Sequence, residues 1–146
     1  MTERSTPTPA AAGYKMPAEW EPHAGCLMAW PSRAELWGDE LTNATRDYAV
    51  VASAIAAFEP VVMVCNPGYA GEVERMCGDG VTPIEMPIND SWCRDSGPAF
   101  VRNDDGEMAV VGFGFNAWGN RWHPHDDDAR LSQRLERRLL RTGTSA

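Results

Sequence analysis

Val61-Val62-Met63-Val64-Cys65, followed by Asn66-Pro67-Gly68, is the stretch on which the fold turns. Five apolar residues without alternation, rich in β-branched side chains, predict a strand buried on both faces. Asn-Pro-Gly then predicts a turn. A strand covered on both faces needs helices above and below it.

Upstream, residues 39–57 carry Leu41, Ala44, Thr45, Tyr48, Val51, Ala52 and Ile55 at steps of three and four. That spacing predicts an amphipathic helix, ended by Glu59-Pro60. Before it, Gly25 to Trp30 is a short apolar run stopped by Pro31, which predicts another buried strand. Downstream, residues 69–77 predict a short helix closed by Gly78, and Thr82 to Met86 a third strand. Ala99 to Arg102 and Met108 to Phe113 flank an Asp-Gly loop, a hairpin signal. Residues 126–141 predict a last helix, capped by one of three consecutive Asp residues. No strand follows it, which leaves open what that helix covers. Strands alternating with helices give the α/β class. Residues 1–15, rich in Pro, Thr and Ala, are expected to be a disordered tail, with order beginning at residue 16.

The chain has 146 residues, 43% hydrophobic and 23% charged, ordinary values for a globular protein. Thirteen Lys plus Arg against 21 Asp plus Glu leave a net charge of -8. That balance argues against a nucleic-acid partner, because phosphate contacts need clustered cations. It suits a cationic ligand, although solubility explains it equally well. Residues 1–120 hold 7 basic and 17 acidic side chains, so the acidity travels with the motifs below. No apolar run reaches the ~18 residues of a spanning helix, and no secretory signal is visible, so a cytoplasmic protein without membrane contact is expected. Cys26, Cys65, Cys77 and Cys93 form no C-x-x-C pair and read as reduced thiols.

Chemistry concentrates in Asn89-Asp90-Ser91-Trp92-Cys93-Arg94-Asp95-Ser96-Gly97-Pro98. The segment leaves the carboxyl end of a predicted strand, where ligand loops of α/β sheets gather. The bland account is a turn with an Arg94–carboxylate pair and a core Trp92. A second feature, Gly112-Phe113-Gly114-Phe115-Asn116-Ala117-Trp118-Gly119, interleaves glycines with rings that are expected in the core.

Five blocks then carry a resemblance. Met16-Pro17-Ala18-Glu19-Trp20-Glu21-Pro22-His23, Met28-Ala29-Trp30-Pro31, Phe58-Glu59-Pro60-Val61, the Asn89–Pro98 segment and Gly114-Phe115-Asn116-Ala117-Trp118-Gly119 stand in order over residues 16–120. Together the chain resembles the agmatine deiminase family, grouped with the bacterial-type peptidylarginine deiminases. The resemblance implies a pentein fold, a propeller of five ββαβ-type modules around a central site, of which residues 16–146 would supply only the first, truncated part. It implies hydrolysis of agmatine to N-carbamoylputrescine and ammonia, a step toward putrescine, without metal or organic cofactor. The substrate would be a small guanidino cation. Such a group is planar, permanently charged and rich in N–H donors, so it calls for carboxylates that accept paired hydrogen bonds.

By position in the family motif, Asp95 would grip the guanidinium and act in catalysis, and Trp92 would pack over the substrate. Asp90 and Arg94 are expected to shape the loop. A cysteine thiolate would attack the guanidino carbon, a histidine would protonate the leaving ammonia, and water would release the thiouronium. The family's nucleophile, acid and second carboxylate lie in blocks that these 146 residues lack. The chain alone is therefore expected to be inactive, completed by a C-terminal fragment or by oligomerisation. Cys93 is rejected as a substitute, because an activated thiolate needs a basic partner. Two alternatives stay open: a non-catalytic guanidinium-binding module, and a fragment of a peptidylarginine deiminase. A metal site on His123, His125 and the Asp run is the weaker reading, since these residues also fit a helix start.

Overall fold

A computed structural model describes residues 8–139. Strands β1 (Cys26–Ala29), β2 (Val61–Cys65) and β3 (Val81–Glu85) form one parallel sheet in that order. Between β1 and β2 run the short helix α1 (Ala34–Trp37) and the long α2 (Leu41–Ala56); α3 (Ala70–Cys77) links β2 to β3. After β3 come the single turn α4 (Cys93–Ser96), an antiparallel hairpin of β4 (Ala99–Arg102) and β5 (Met108–Val111), a turn α5 (Ala117–Asn120), and α6 (Leu131–Leu139).

The central strand was legible because both its faces are covered. Val61, Met63 and Cys65 point into one cluster with Trp30, Ala49, Ala52, Val73 and Cys77, under α2 and α3. Val64 points the other way, into a cluster with Ala29, Ile88, Leu131 and Leu135, under α6. Period-two alternation of a uniformly apolar strand thus feeds two cores at once. The final helix finds its sheet here, on the second face of β1–β3.

Details differ from the sequence expectation. Val51 lies off the buried face of α2, at 49% exposed, and Ala49 takes its place. The reason is local: Ala49 and Ala52 pack into one cluster with Val61, Met63, Val73 and Cys77, and small residues let the helix lie close. Residues 8–15, expected within the tail, include a 3-10 turn at Ala10–Ala12 and a bridge from Lys15 to Arg102. Residues 1–7, and the last residues assigned to the final helix, fall outside the described part. No helix among the described residues is long and apolar enough to cross a membrane.

Candidate functional site

The loop after β3 is built by polar side chains rather than by burial. Asn89 and Asp128 hold each other's backbones. Asp128 Oδ1 accepts from the N–H groups of Asn89 at 2.7 Å and Asp90 at 3.3 Å. In return, Asn89 Oδ1 accepts from Asp127 N–H at 2.8 Å and Asp128 N–H at 3.3 Å. The expected helix cap is therefore spent elsewhere: Asp128 ties the α6 entrance to the loop, and the Asp127 side chain does not cap the 3-10 turn Asp128–Arg130 that leads into α6. Asp128 is only 2% exposed, and burial, the largest cause, raises its carboxyl above the ordinary value; the two N–H donors oppose that shift. Arg33 adds a third tie, donating to the carbonyls of Asn89, His123 and Pro124. Ser91, buried, shares a hydrogen bond with Tyr48 of α2 at 3.0 Å.

Asp90 shapes the loop as expected: its Oδ1 accepts from Ser91 N–H at 2.7 Å. Arg94 does not. It is exposed and reaches back to Glu19 at 3.3 Å, so the ion pair of the bland account exists but joins neither Asp90 nor Asp95. α4 closes tightly behind. A Cβ on Gly97 would lie 2.3 Å from the carbonyl oxygen of Cys93, so no other residue fits there.

Asp95 and Trp92, the two residues assigned from sequence, lie together on an open surface. Trp92 is 43% exposed and meets Trp118 edge to face, with centroids 5.8 Å apart. The Trp118 indole N–H donates to Asp95 Oδ1 at 3.2 Å. The other Asp95 oxygen has no partner among the described residues. The carboxylate thus stands beside two perpendicular indoles with accepting capacity left over. This is a place where a planar donor-rich cation can dock, since a half-paired carboxylate accepts further N–H groups and the rings attract positive charge.

Sequence reasoning missed Trp118. The rings of the Gly-aromatic stretch were expected in the core, yet Phe113 is 68% exposed and Trp118 42%. The cause is backbone handedness. Ala117, Trp118, Gly119 and Asn120 all have positive φ, at 49°, 53°, 84° and 59°, so α5 is a left-handed turn. Left-handed geometry costs roughly 1–2 kcal/mol for each ordinary residue. Asn116 offsets part of it, its Oδ1 accepting from Gly119 N–H at 3.0 Å. The turn swings Trp118 out of the core and over Asp95. The Asn-Ala-Trp-Gly-Asn run carried the signal, because Gly and Asn are the residues that tolerate this region.

None of the four thiols is primed for attack. Burial, aided by Cys26 and Asp128, pushes the Cys93 thiol up to about 12. Burial with Glu85 lifts Cys65 to about 11. Cys77 is raised by burial, and Cys26 by burial and then Glu59. His123 and His125 lie with ring centroids 5.0 Å apart, and His125 Nδ1 contacts the Trp122 carbonyl at 3.1 Å. Among the described residues, no group of three or more His, Cys, Asp or Glu side chains is placed to hold a metal.

The fold and the loop both have relatives. An agmatine deiminase of Pseudomonas aeruginosa is 40% identical over 141 residues, covering 91% of this chain and 38% of its own. The solved agmatine deiminase of Enterococcus faecalis superposes with a TM-score of 0.84 at 36% identity, over 90% of this chain and 37% of that one. An agmatine deiminase of C. jejuni shares the fold alone, with a TM-score of 0.69 at 21% identity, over 89% of this chain and 37% of that one. The chain therefore spans well under half the length of the relatives it matches. The family described as Porphyromonas-type peptidyl-arginine deiminase matches residues 15–145, a span that holds the sheet, the Asn89–Asp128 clamp and the Asp95–Trp118 contact alike; to that family this chain belongs.

Proposed function

We propose that these residues are the N-terminal part of an agmatine deiminase, an enzyme converting agmatine and water to N-carbamoylputrescine and ammonia in the cytoplasm. Residues 16–146 would be the first portion of a pentein propeller whose remaining modules complete the site. The observation that carries this reading is the half-paired Asp95 carboxylate beside Trp92 and Trp118. Asp95 would take two N–H groups of the guanidinium and Trp92 would lie along the substrate. The thiolate that attacks the guanidino carbon would come from outside these 146 residues, because every thiol here is held protonated by burial. The acid that protonates departing ammonia, and the second carboxylate, would come with it. Hydrolysis of the thiouronium then returns the thiol and releases the urea product.

The same thiol shifts favour a second reading, a chain that binds a guanidinium without turning it over. Ammonia release from agmatine separates the two. The 146-residue chain should release none, and the chain continued through the coding sequence after codon 146 should release it. In the longer chain, Asp95→Asn should lower kcat/KM by about 100-fold, by removing one charged acceptor at the reacting group. An extended chain without activity leaves the binding reading; activity indifferent to Asp95→Asn defeats the binding reading and the role given to Asp95.

A further inference from the structure

Asp95 is exposed on a single-turn helix, where a side chain can change rotamer. A carboxylate grips a planar cation well in one orientation only, because the N–H groups and the accepting oxygens must share a plane. Among the described residues, one group directs that carboxylate: the Trp118 indole N–H, 3.2 Å from Oδ1. Where Asp95 points therefore depends on where Trp118 points. Edge-to-face contacts with Trp92 and Phe115, at centroid distances of 5.8 and 5.3 Å, keep the Trp118 ring near the site. Such contacts form over a range of separations and do not aim an N–H. The aim comes from the backbone. Trp118, with φ 53° and ψ 47°, sits in the left-handed region between Gly119 and Ala117, which is 1% exposed and anchors the turn. Asn116 closes this turn twice. Its carbonyl accepts from Asn120 N–H at 2.7 Å, and its side-chain Oδ1 accepts from Gly119 N–H at 3.0 Å. The second bond is the one that a side-chain substitution removes. No hydrogen bond joins Asn116 to Asp95 itself, so its influence on the site passes through Trp118.

We propose that Asn116 is a positioning residue for the Asp95 site: by holding the left-handed turn it keeps the Trp118 N–H on Asp95 Oδ1, and so fixes the plane in which the carboxylate meets a planar cation. This rests on the guanidinium grip at Asp95 and adds what sets its direction. Without the Asn116 side chain, Asp95 keeps its charge and still attracts the cation. What is lost is the orientation that brings the guanidino carbon to the attacking thiolate. Turnover falls while affinity holds.

The first measurement needs no ligand. Among the six indole N–H signals of the ¹⁵N-labelled 146-residue chain, that of Trp118 is the one missing from Trp118→Phe. Asp95→Asn should move this signal in the parent chain. In the Asn116→Ala background the response should shrink about fivefold, and Asn116→Asp, which keeps an acceptor, should restore it. Asn116 is exposed, so these variants leave the apolar clusters in place. The second measurement uses the chain continued past codon 146. Asn116→Ala should lower kcat for agmatine about tenfold and leave KM within about twofold, whereas Asn116→Asp should keep the parent kcat. Trp118→Phe, which retains a ring without the N–H, should match Asn116→Ala, and the double variant should lose no more than either. The proposal is overturned if Asp95→Asn moves the Trp118 signal equally with and without the Asn116 side chain, if kcat is unchanged in Asn116→Ala, if Asn116→Asp loses as much as Asn116→Ala, or if the two losses add. A longer chain that releases no ammonia defeats the agmatine reading instead, and the indole signals still decide the role of Asn116.

Discussion

Residues 25–88 and residues 89–139 are held together in opposite ways. In the first, a parallel sheet sits between two apolar clusters, and Trp30, Met63 and Val64 are fully buried. In the second, the elements around Asp95 are tied by reciprocal side-chain-to-backbone hydrogen bonds, an exposed aromatic pair and a left-handed turn. Apolar burial is non-directional, so it builds a platform but aims nothing. Directional bonds and strained backbone aim side chains, at the expense of burial. The candidate site around Asp95 lies in the half where directional hydrogen bonds carry most of the order.

Mutations can break this contrast. Trp30→Ala strikes the platform: it removes a fully buried indole and its 2.9 Å hydrogen bond to Glu72, and should cost about 3–5 kcal/mol in urea unfolding. Trp122→Ala in the loop half should cost less than about 1 kcal/mol by the same measurement. Equal losses would erase the distinction.

Asp128→Ala comes next. It orphans the N–H groups of Asn89 and Asp90 and should cost about 2 kcal/mol, whereas Asp128→Asn, which keeps an acceptor, should cost far less. Their pH dependence sharpens the point. Burial raises the Asp128 carboxyl, so the folded chain keeps a proton that the unfolded chain has lost. That contribution is complete below the ordinary carboxylate value and fades as pH climbs through the raised one. Melting curves of the parent chain should lose stability relative to Asp128→Asn across that interval; parallel curves would show that the carboxyl is not shifted.

Gly119→Ala is smaller. Nothing lies within 4 Å of the added Cβ, so its effect is backbone strain at φ +84°, about 1 kcal/mol. Chemical denaturation gives the figure, and the Trp118 indole signal should shift with it. Last, iodoacetamide at pH 8 should leave Cys93 unmodified in the folded chain, since its thiol is pushed up to about 12. Rapid labelling there would reopen Cys93 as a nucleophile.

How far the sequence was legible follows the same divide. Val61–Cys65 announced its strand because two-sided burial writes itself as an uninterrupted apolar run. Helix α3 and Gly78, with φ +73°, were readable for a similar reason, local chemistry matching local geometry. Asp95 and Trp92 were assigned through the family blocks, and the fold brings them onto one surface with Trp118. Asp128 was misplaced because a capping residue and a long-range clamp use the same side chain, and only the fold brings residue 128 to residue 89. Trp118 was misplaced because composition gives ring burial on average, while its exposure was decided by the handedness of four peptide units.

The left-handed turn has one more consequence. Between negative and positive φ lies a sterically forbidden gap, so an ordinary residue cannot drift from one side to the other by small steps. Ala117, Trp118 and Asn120 must each cross it whole. The indole beside Asp95 is thus set like a latch with discrete positions, and loosening of the surrounding loops would not gradually blur where it points.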